Sequence, residues 1–311
     1  MSESLVRAIL LTATPGQATL DDARLAPIRA LTDKEALLQE DVLAEGDAWQ
    51  ALIVADETIP LAAIEAPYAA ALTGAQVDLN VIPDDISLRR KHVLVADMES
   101  TIIEQEMLDE LGDLIGKRNV IEDITARAMR GELDFESALE ERVAMLAGLD
   151  ARVLDEVAER ITLMPGAEAL IRTMSAHGAY CALVSGGFTV FTDMIARRLG
   201  FDEHQANTLE IVDGRLTGRV VPPILGREAK LAALRRIASE RGVDMALTLA
   251  VGDGANDLDM LREAGLGVAF RAKPKVREAV AALDNGAVVT HGDLTALLYL
   301  QAYSQADFAS S

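Results

Sequence analysis

The sequence has very little cysteine and no long apolar run, and each shortage excludes a class of protein. Cys181 is the only cysteine among 311 residues, so no disulfide can form within the chain, and a reducing compartment, the cytoplasm, is expected. It lies in an apolar run and is predicted to be a buried thiol. No apolar segment approaches the roughly 18 residues that a membrane span needs. The first residues also lack the basic start of a secretory signal.

Positive charge is scarce as well. Lys and Arg number 29 against 50 Asp and Glu, which leaves a net charge of −21. This field repels nucleic acid and anionic membrane surfaces, so neither is expected as a partner. An anionic small molecule would need a locally positive site. Because 50% of the residues are hydrophobic, the chain is expected to fold throughout, and its length suits two domains.

Residues 1–85 have the pattern of a small α+β domain. Strand-like and helix-like runs alternate as βαββαβ, with strands at 5–12, 36–44, 50–55 and 76–82 and helices at 20–31 and 61–72. This order resembles ACT-type, ferredoxin-like modules, which would imply a regulatory domain and a homodimer formed through it. An unrelated α+β domain that only packs or dimerises is the alternative. The charged run 83–91 is the predicted linker to a second domain, 86–311.

In the second domain, apolar strand patterns alternate with helical ones. The predicted strands lie at 93–96, 182–184, 247–251, 267–270 and 287–289, with a hairpin at 208–220. Such alternation indicates a parallel sheet covered on both faces. Residues 102–163 show only helical spacing and are predicted to form a cap inserted after the first strand. The core is then 91–101 and 164–298.

Two acidic runs directly follow predicted strands. Asp97 and Glu99 come after the first, and Asp253, Asn256 and Asp257 come after the strand at 247–251. The carboxyl ends of parallel strands share one sheet edge, where ligands bind. Carboxylate and amide oxygens that converge there suit Mg²⁺, whereas crowded carboxylates without a cation would repel one another. The alternatives without a catalytic role are a solvated strand end for the first run and an ordinary Asp-Gly turn for the second.

Two further runs favour the binding of an anion. Ser185 and Gly186 end the strand at 182–184 just before a predicted helix, and a hydroxyl with free backbone amides can cradle a phosphate. Lys230 lies near the start of another predicted helix. Alone, the first run is as often structural, and Lys230 is more often a solvated helix lysine.

These four runs, in this order, resemble the signature motifs of the haloacid dehalogenase (HAD) superfamily, and within it the phosphoserine phosphatases. The resemblance covers about residues 91–298 and includes two runs in the predicted cap, 103–110 and 131–143. It implies a HAD-like, doubly wound, Rossmann-like parallel sheet with a helical cap. It also implies hydrolysis of O-phosphoserine to serine and phosphate through an aspartyl-phosphate, the last step of serine biosynthesis.

The resemblance assigns roles at the sheet edge. Asp97 would be the nucleophile, and Glu99 the proton donor and acceptor. The superfamily most often has Asp at the second position, so this chain departs by one methylene. Mg²⁺ would be bound by Asp97, Asp253, Asp257 and the backbone carbonyl of Glu99.

It also assigns the residues that would bind O-phosphoserine. The phosphoryl oxygens would be held at the sheet edge, the ammonium and carboxylate groups by the cap, and Phe135 would pack beside the substrate. The implied contacts are Ser185, Gly186 and Lys230 for the phosphoryl group, Asn256 facing the substrate, Glu106 for the ammonium and Arg142 for the carboxylate.

Two other functions are open on the sequence. A phosphotransferase would keep Asp97 but pass the phosphoryl group to another hydroxyl, such as that of homoserine. An amino-acid-sensing regulatory protein would carry a vestigial phosphatase part. The intact nucleophile, the lysine and the run 252–257 disfavour the second alternative.

Overall fold

The computed structural model describes residues 4–17, 19–32, 37–129 and 132–309, which form two β-sheets. The strands are β1 (Ser4–Ala13), β2 (Leu37–Ala44), β3 (Ala48–Asp56), β4 (Val77–Pro83), β5 (Val93–Ala96), β6 (Tyr180–Phe188), β7 (Glu203–Val212), β8 (Arg215–Val221), β9 (Thr248–Gly252), β10 (Leu266–Phe270) and β11 (Gly286–Val289). The α-helices are α1 (Asp22–Thr32), α2 (Leu61–Ala71), α3 (Ile86–Arg89), α4 (Met107–Leu114), α5 (Arg118–Met129), α6 (Phe135–Ala144), α7 (Val153–Ala158), α8 (Ala167–Ala176), α9 (Thr189–Leu199), α10 (Arg227–Arg241), α11 (Leu258–Glu263), α12 (Pro274–Ala281) and α13 (Ala296–Leu300).

The N-terminal sheet is antiparallel, with strand order β2-β3-β1-β4. The predicted βαββαβ order is therefore confirmed for the described residues, and Ala36, the predicted start of the second strand, lies outside them. The sheet residues Ile9 and Trp49 pack with Ile28 of α1 and Tyr68 of α2 in one apolar cluster. Helices α1 and α2 thus cover one face of this sheet.

The other face of the N-terminal sheet packs against the rest of the chain. Ala8, Leu10 and Ile82 belong to the same buried cluster as Leu94 of β5 and Leu297 of α13. Successive side chains of a strand point to opposite faces, so β1 supplies both clusters. The two sheets therefore share a continuous apolar core.

Polar contacts reinforce this junction. The carboxylate of Asp78 on β4 accepts hydrogen bonds from the backbone N–H groups of Thr290, His291 and Gly292. The predicted linker contains the short helix α3, and its Arg89 is buried and donates to the Leu300 carbonyl oxygen. The connection between the sheets is therefore fixed by packing, although the sequence there is highly charged.

The second sheet has the order β11-β10-β9-β5-β6-β7-β8. Its strands are parallel except β8, which pairs antiparallel with β7. The predicted parallel sheet and hairpin are confirmed. Asp213 and Gly214 form the hairpin turn with φ angles of 51° and 73°, as a tight primed turn requires. Strands β6, β5 and β9 are neighbours, so their carboxyl ends meet.

Helices α4 to α7 follow β5 and form the predicted cap. Leu111, Leu139 and Val143 are buried in it at helical spacing. Ile103 and Leu163 form an isolated bridge where the cap begins and ends, so the insertion leaves and re-enters the core at one place. Gly131, in the second cap run singled out from the sequence, lies outside the described residues. No helix in the described ranges is both long and apolar enough to cross a membrane.

Candidate active site

Three carboxylates meet at the ends of β5 and β9. The backbone N–H of Asp97 donates to the Val251 carbonyl oxygen at 3.0 Å, which aligns the two strand ends. Each of the residues Asp97, Asp253 and Asp257 offers a carboxylate oxygen, and the three oxygens lie within 4.8 Å of one another. All three residues are buried. The sequence prediction that these acids converge is confirmed.

Lys230 of α10 lies between two of these acids. Its Nζ is 2.8 Å from Asp97 Oδ1 and 2.5 Å from Asp257 Oδ1, and its side chain is 3% exposed. Burial disfavours the ammonium form, but the attraction of Asp257 and Asp97 outweighs it and the pKa of Lys230 is raised. Lys230 is therefore a fixed positive charge inside the acidic cluster.

One lysine does not neutralise three carboxylates. Burial raises the pKa of Asp97 to about 8; Lys230 opposes the shift and Asp257 adds to it. Burial also raises the pKa of Asp253 to about 6. Both shifts come mainly from burial, so each carboxylate is costly to keep charged here without a further cation. Hard oxygen ligands held this close suit a small divalent cation, so this donor set fits a metal ion of the Mg²⁺ type.

The loop after β9 brings its backbone close to Asp257. A β-carbon on Gly252 would lie 2.3 Å from the carboxyl carbon of Asp257, which no side chain tolerates. The N–H of Gly254 also donates to Asp257 Oδ2 at 2.9 Å. The glycines in this run therefore allow Asp257 to fold back under the strand end, where it meets Lys230.

The side chain of Glu99 lies apart from the cluster of Asp97, Asp253 and Asp257. Its Oε1 accepts a hydrogen bond from the Met107 N–H at 3.0 Å, at the start of cap helix α4. Burial, and then repulsion from Glu106, raises its pKa to about 8. The Glu99 side chain is thus not grouped with Asp97, Asp253 and Asp257, and it lines a cavity between the sheet edge and the cap instead.

The predicted turn at Ser185 and Gly186 is instead the last part of β6, where the pairing with β7 shifts register, and it offers backbone groups to the same cavity between the sheet edge and the cap. Gly186 and Gly187 line it, whereas Ser185 does not; the Ser185 hydroxyl accepts a hydrogen bond from the Gly187 N–H at 2.9 Å. Phe135 of the cap lies over the turn, because a β-carbon on Gly186 would be 3.3 Å from its ring. The cap is therefore closed over the turn.

A cavity of about 720 Å³ lies between the sheet edge and the cap. Residues with predicted roles line it from both sides, whereas Lys230, Asp257 and Ser185 do not line it. The cavity-lining residues with predicted roles are Asp97, Glu99, Glu106, Phe135, Arg142, Gly186, Asp253 and Asn256.

Arg142 is held by neighbouring cap residues. Its Nε donates to the Ala138 carbonyl oxygen at 2.9 Å, and its Nη1 donates to Thr125 Oγ1 at 3.2 Å. Glu106 is held on the other side by the Ser100 hydroxyl at 2.8 Å. The cap thus presents one cation and one carboxylate to the cavity, each with its own support.

Sequence reasoning missed three of the polar side chains that line this cavity. Thr125 gave no signal, because a lone threonine in a helical pattern is ordinary. Lys273 and Lys275 follow β10, another strand that ends at the same sheet edge. Asking which side chains follow every predicted strand would have found both lysines.

The fold and the site define a capped Rossmann-like protein whose chemistry is centred on strand-end carboxylates. The chain belongs to the family of haloacid dehalogenase-like hydrolases, whose model matches residues 94–262, more than half of its length. The predicted HAD-like fold class is therefore confirmed.

Relatives in this family carry more specific names. The chain is 52% identical over 223 residues to the phosphoserine phosphatase of Streptomyces coelicolor, which covers 72% of this chain and 54% of that protein. It is 48% identical over 238 residues to a phosphoserine phosphatase of Mycobacterium tuberculosis, covering 75% and 57%. The chain thus spans little more than half the length of these relatives. The crystal structure of a probable phosphoserine phosphatase from Vibrio cholerae superposes with a TM-score of 0.76 at 32% identity, covering 97% of this chain and 88% of that one.

Proposed function

We propose that this protein is a phosphoserine phosphatase that hydrolyses O-phosphoserine to serine and phosphate. The observation that carries the proposal is that one cavity holds the acidic cluster around Asp97 together with Arg142 and Glu106 of the cap. A phosphomonoester with an ammonium and a carboxylate group would match these charges. The names of the relatives support the same substrate.

Asp97 is the proposed nucleophile. Its carboxylate would attack phosphorus and form an aspartyl-phosphate, and water would then hydrolyse this intermediate. Splitting the reaction in this way suits a weak nucleophile, because the transfer of a phosphoryl group depends mainly on alignment and charge neutralisation. The hydrogen bond from the Met98 N–H to Asp97 Oδ1, at 2.8 Å, and the contact with Lys230 hold the carboxylate in one orientation.

Glu99 is the proposed acid and base. It would protonate the serine oxygen as it leaves and then take a proton from the attacking water. Its place in the cavity, two residues after Asp97, supports this role. The contact with the Met107 N–H ties its position to the cap helix, so proton transfer would depend on the closed cap.

Mg²⁺ is the proposed cofactor, with Asp97, Asp253, Asp257 and the backbone carbonyl of Glu99 as its ligands. When bound, the ion would neutralise charge on the phosphoryl oxygens and help to orient the phosphoryl group. Asp257 would keep Lys230 in place at the same time. The short separation of the three carboxylates supports this assignment.

The remaining residues would bind the substrate. Ser185, Gly186 and Lys230 would hold the phosphoryl oxygens and stabilise their charge, and the Ser185 hydroxyl also accepts the hydrogen bond from the Gly187 N–H. Arg142 would bind the substrate carboxylate, since a guanidinium can form two parallel hydrogen bonds with it. Glu106 would bind the ammonium, and Asn256 would face the substrate.

We also propose that residues 1–85 are a regulatory domain through which the protein forms a homodimer, with residues 86–311 as the phosphatase domain. β2 is an edge strand, and its Leu38 and Val42 are 58% and 49% exposed, which favours pairing with a second copy. Light scattering on Val42→Lys should show a smaller particle than the unaltered protein. A reducing compartment remains our proposal, supported by the single buried thiol.

The test of the proposed activity is phosphate release from a panel of phosphomonoesters with and without Mg²⁺. Asp97→Asn should release none. Arg142→Ala should lose its preference for O-phosphoserine while still cleaving a small aryl phosphate, and Arg127→Ala, on the cap but outside the cavity, is the matched control. Equal loss on both substrates would make Arg142 structural, and no turnover of O-phosphoserine by the unaltered protein would reject the proposal.

A further inference from the structure

More carboxyl groups than cationic side chains line the cavity. Four carboxyl groups line it, those of Asp97, Glu99, Glu106 and Asp253. Lys230 does not line the cavity, and its Nζ contacts the carboxylates of Asp97 and Asp257. A phosphomonoester that approaches a chain of net charge −21 would be repelled over most of the surface. Positive charge at the mouth would therefore matter more here than in a neutral protein.

Three cationic side chains line the cavity, and two of them lie together. Lys273 and Lys275 flank Pro274 at the start of α12, while Arg142 lies on the cap. The Lys273 N–H donates to the Asp253 carbonyl oxygen at 3.1 Å, so the backbone of this segment is fixed beside the acidic cluster. Lys273 Nζ lies 3.6 Å from Asp253 Oδ2, and the side chain is 47% exposed. Lys273 and Lys275 therefore lie between the acidic cluster and solvent.

Neither Lys273 nor Lys275 makes an ion pair that would contribute much to the stability of the fold. An ion pair as exposed as that of Lys273 contributes little. Within the described residues, no carboxylate lies within the 4.0 Å limit for an ion pair with Lys275, whose side chain is also exposed. Two exposed cations that both line the cavity point to a role toward an anion that enters it.

We propose that Lys273 and Lys275 form a cationic rim that draws the anionic phosphomonoester into the active site. This inference rests on the proposed function only in that the substrate is an anionic phosphomonoester. Charges at the mouth act on the approaching dianion, whereas groups at the reacting phosphorus act on the chemical step. The rim thus contributes to capture, and its contribution weakens as salt screens it beyond roughly 10 Å at 0.1 M ionic strength.

The test is the dependence of kcat/KM on ionic strength, measured at saturating Mg²⁺ with O-phosphoserine and with an aryl phosphate. Lys275→Gln is the principal variant, because Lys275 does not contact a candidate metal ligand. Arg277→Gln is the matched control: it removes one positive charge from the same helix but from a residue that does not line the cavity. Lys273→Gln and Lys273→Arg complete the set.

At low salt, Lys275→Gln should lower kcat/KM about threefold or more, with kcat nearly unchanged, and the difference should shrink as salt rises. Lys273→Gln should behave alike, and Lys273→Arg should retain the rate. If Lys275→Gln and Arg277→Gln have the same effect, the rim is rejected and only net charge matters. A loss in kcat that is independent of salt would also reject it. Failure to hydrolyse O-phosphoserine alongside turnover of the aryl phosphate would overturn the substrate assignment, and the rim would still be tested.

Discussion

The carboxyl group of Glu99 occupies the space beside Gly187 that a side chain at residue 187 would need. A β-carbon built on Gly187 would lie 2.8 Å from Glu99 Oε2 and 3.0 Å from its carboxyl carbon. The absence of a side chain at Gly187 therefore leaves the space that the Glu99 carboxyl group occupies. The extra methylene of Glu99, relative to the Asp most common in the superfamily, is accommodated at this contact.

This contact predicts that Gly187→Ala lowers kcat strongly, about 10²-fold, because the added methyl group displaces the acid from its position. The double variant Gly187→Ala with Glu99→Asp should recover part of the rate, since the shorter acid leaves room for the methyl group. Steady-state kinetics on the two single variants and the double variant form a complete cycle. Additive losses would show that the two residues act independently.

Thr125 is expected to position Arg142 through the hydrogen bond to its Nη1. Thr125→Val keeps the side-chain shape and removes the hydroxyl, so the guanidinium loses one acceptor. The expected result is an increase of about threefold to tenfold in KM for O-phosphoserine with kcat little changed. Thr125→Ser should restore KM. An equal change with an aryl phosphate, which has no carboxylate for Arg142, would indicate a general packing effect.

The acidic cluster predicts that Mg²⁺ stabilises the protein as well as activating it. A cation bound among three buried carboxylates relieves their repulsion in the folded state. Tm should therefore rise as the Mg²⁺ concentration is raised above its Kd. Asp253→Asn should weaken Mg²⁺ binding about tenfold or more, as measured by calorimetry. Asp259→Asn, which changes a half-buried partner of Arg227 just beyond the motif, is the control and should bind Mg²⁺ normally.

Lys91 predicts a pH dependence of stability that is separate from the active site. Burial, and then repulsion from Arg89, lowers its pKa from 10.5 to about 8. Between these two values the unfolded chain binds this proton more often than the folded chain does, so the contribution of Lys91 to stability rises with pH. The free energy of unfolding of the unaltered protein relative to Lys91→Met should therefore increase from pH 8 to pH 10.

Denaturant unfolding at several pH values gives this difference directly. Lys117→Met, on the exposed surface of the cap, controls for the loss of one lysine. If the difference in the free energy of unfolding does not change between pH 8 and pH 10, the pKa of Lys91 is the same in the folded and unfolded states. The contacts of Lys91 Nζ with the carbonyl oxygens of Ala246 and Gly265 would then be its only contribution.

The sequence predicted those parts of the fold that depend on local pattern. Helix α9 follows Ser185 and Gly186 as predicted, and Asp213-Gly214 turns the predicted hairpin, because turn chemistry and periodicity are properties of neighbouring residues. The convergence of Asp97 with Asp253 was also predictable, since both follow apolar strands of one parallel sheet.

Contacts between distant segments were not predictable in the same way. The charged run 83–91 reads as a solvated linker, yet Arg89 is buried against Leu300, more than two hundred residues away. Thr125 acquires its role only because α5 and α6 pack side by side. Such roles follow from tertiary packing, about which a single polar residue in a helical pattern carries no information.

The central position of β5, between β6 and β9, also bears on how the protein is made. β5 is synthesised long before residues 248–252, so its edge toward β9 stays unpaired until that strand has been made. Asp97 cannot meet Asp253 until that late strand inserts, and long-range pairing of this kind is slow. The first appearance of activity in a nascent or refolding chain would therefore mark the docking of its last third.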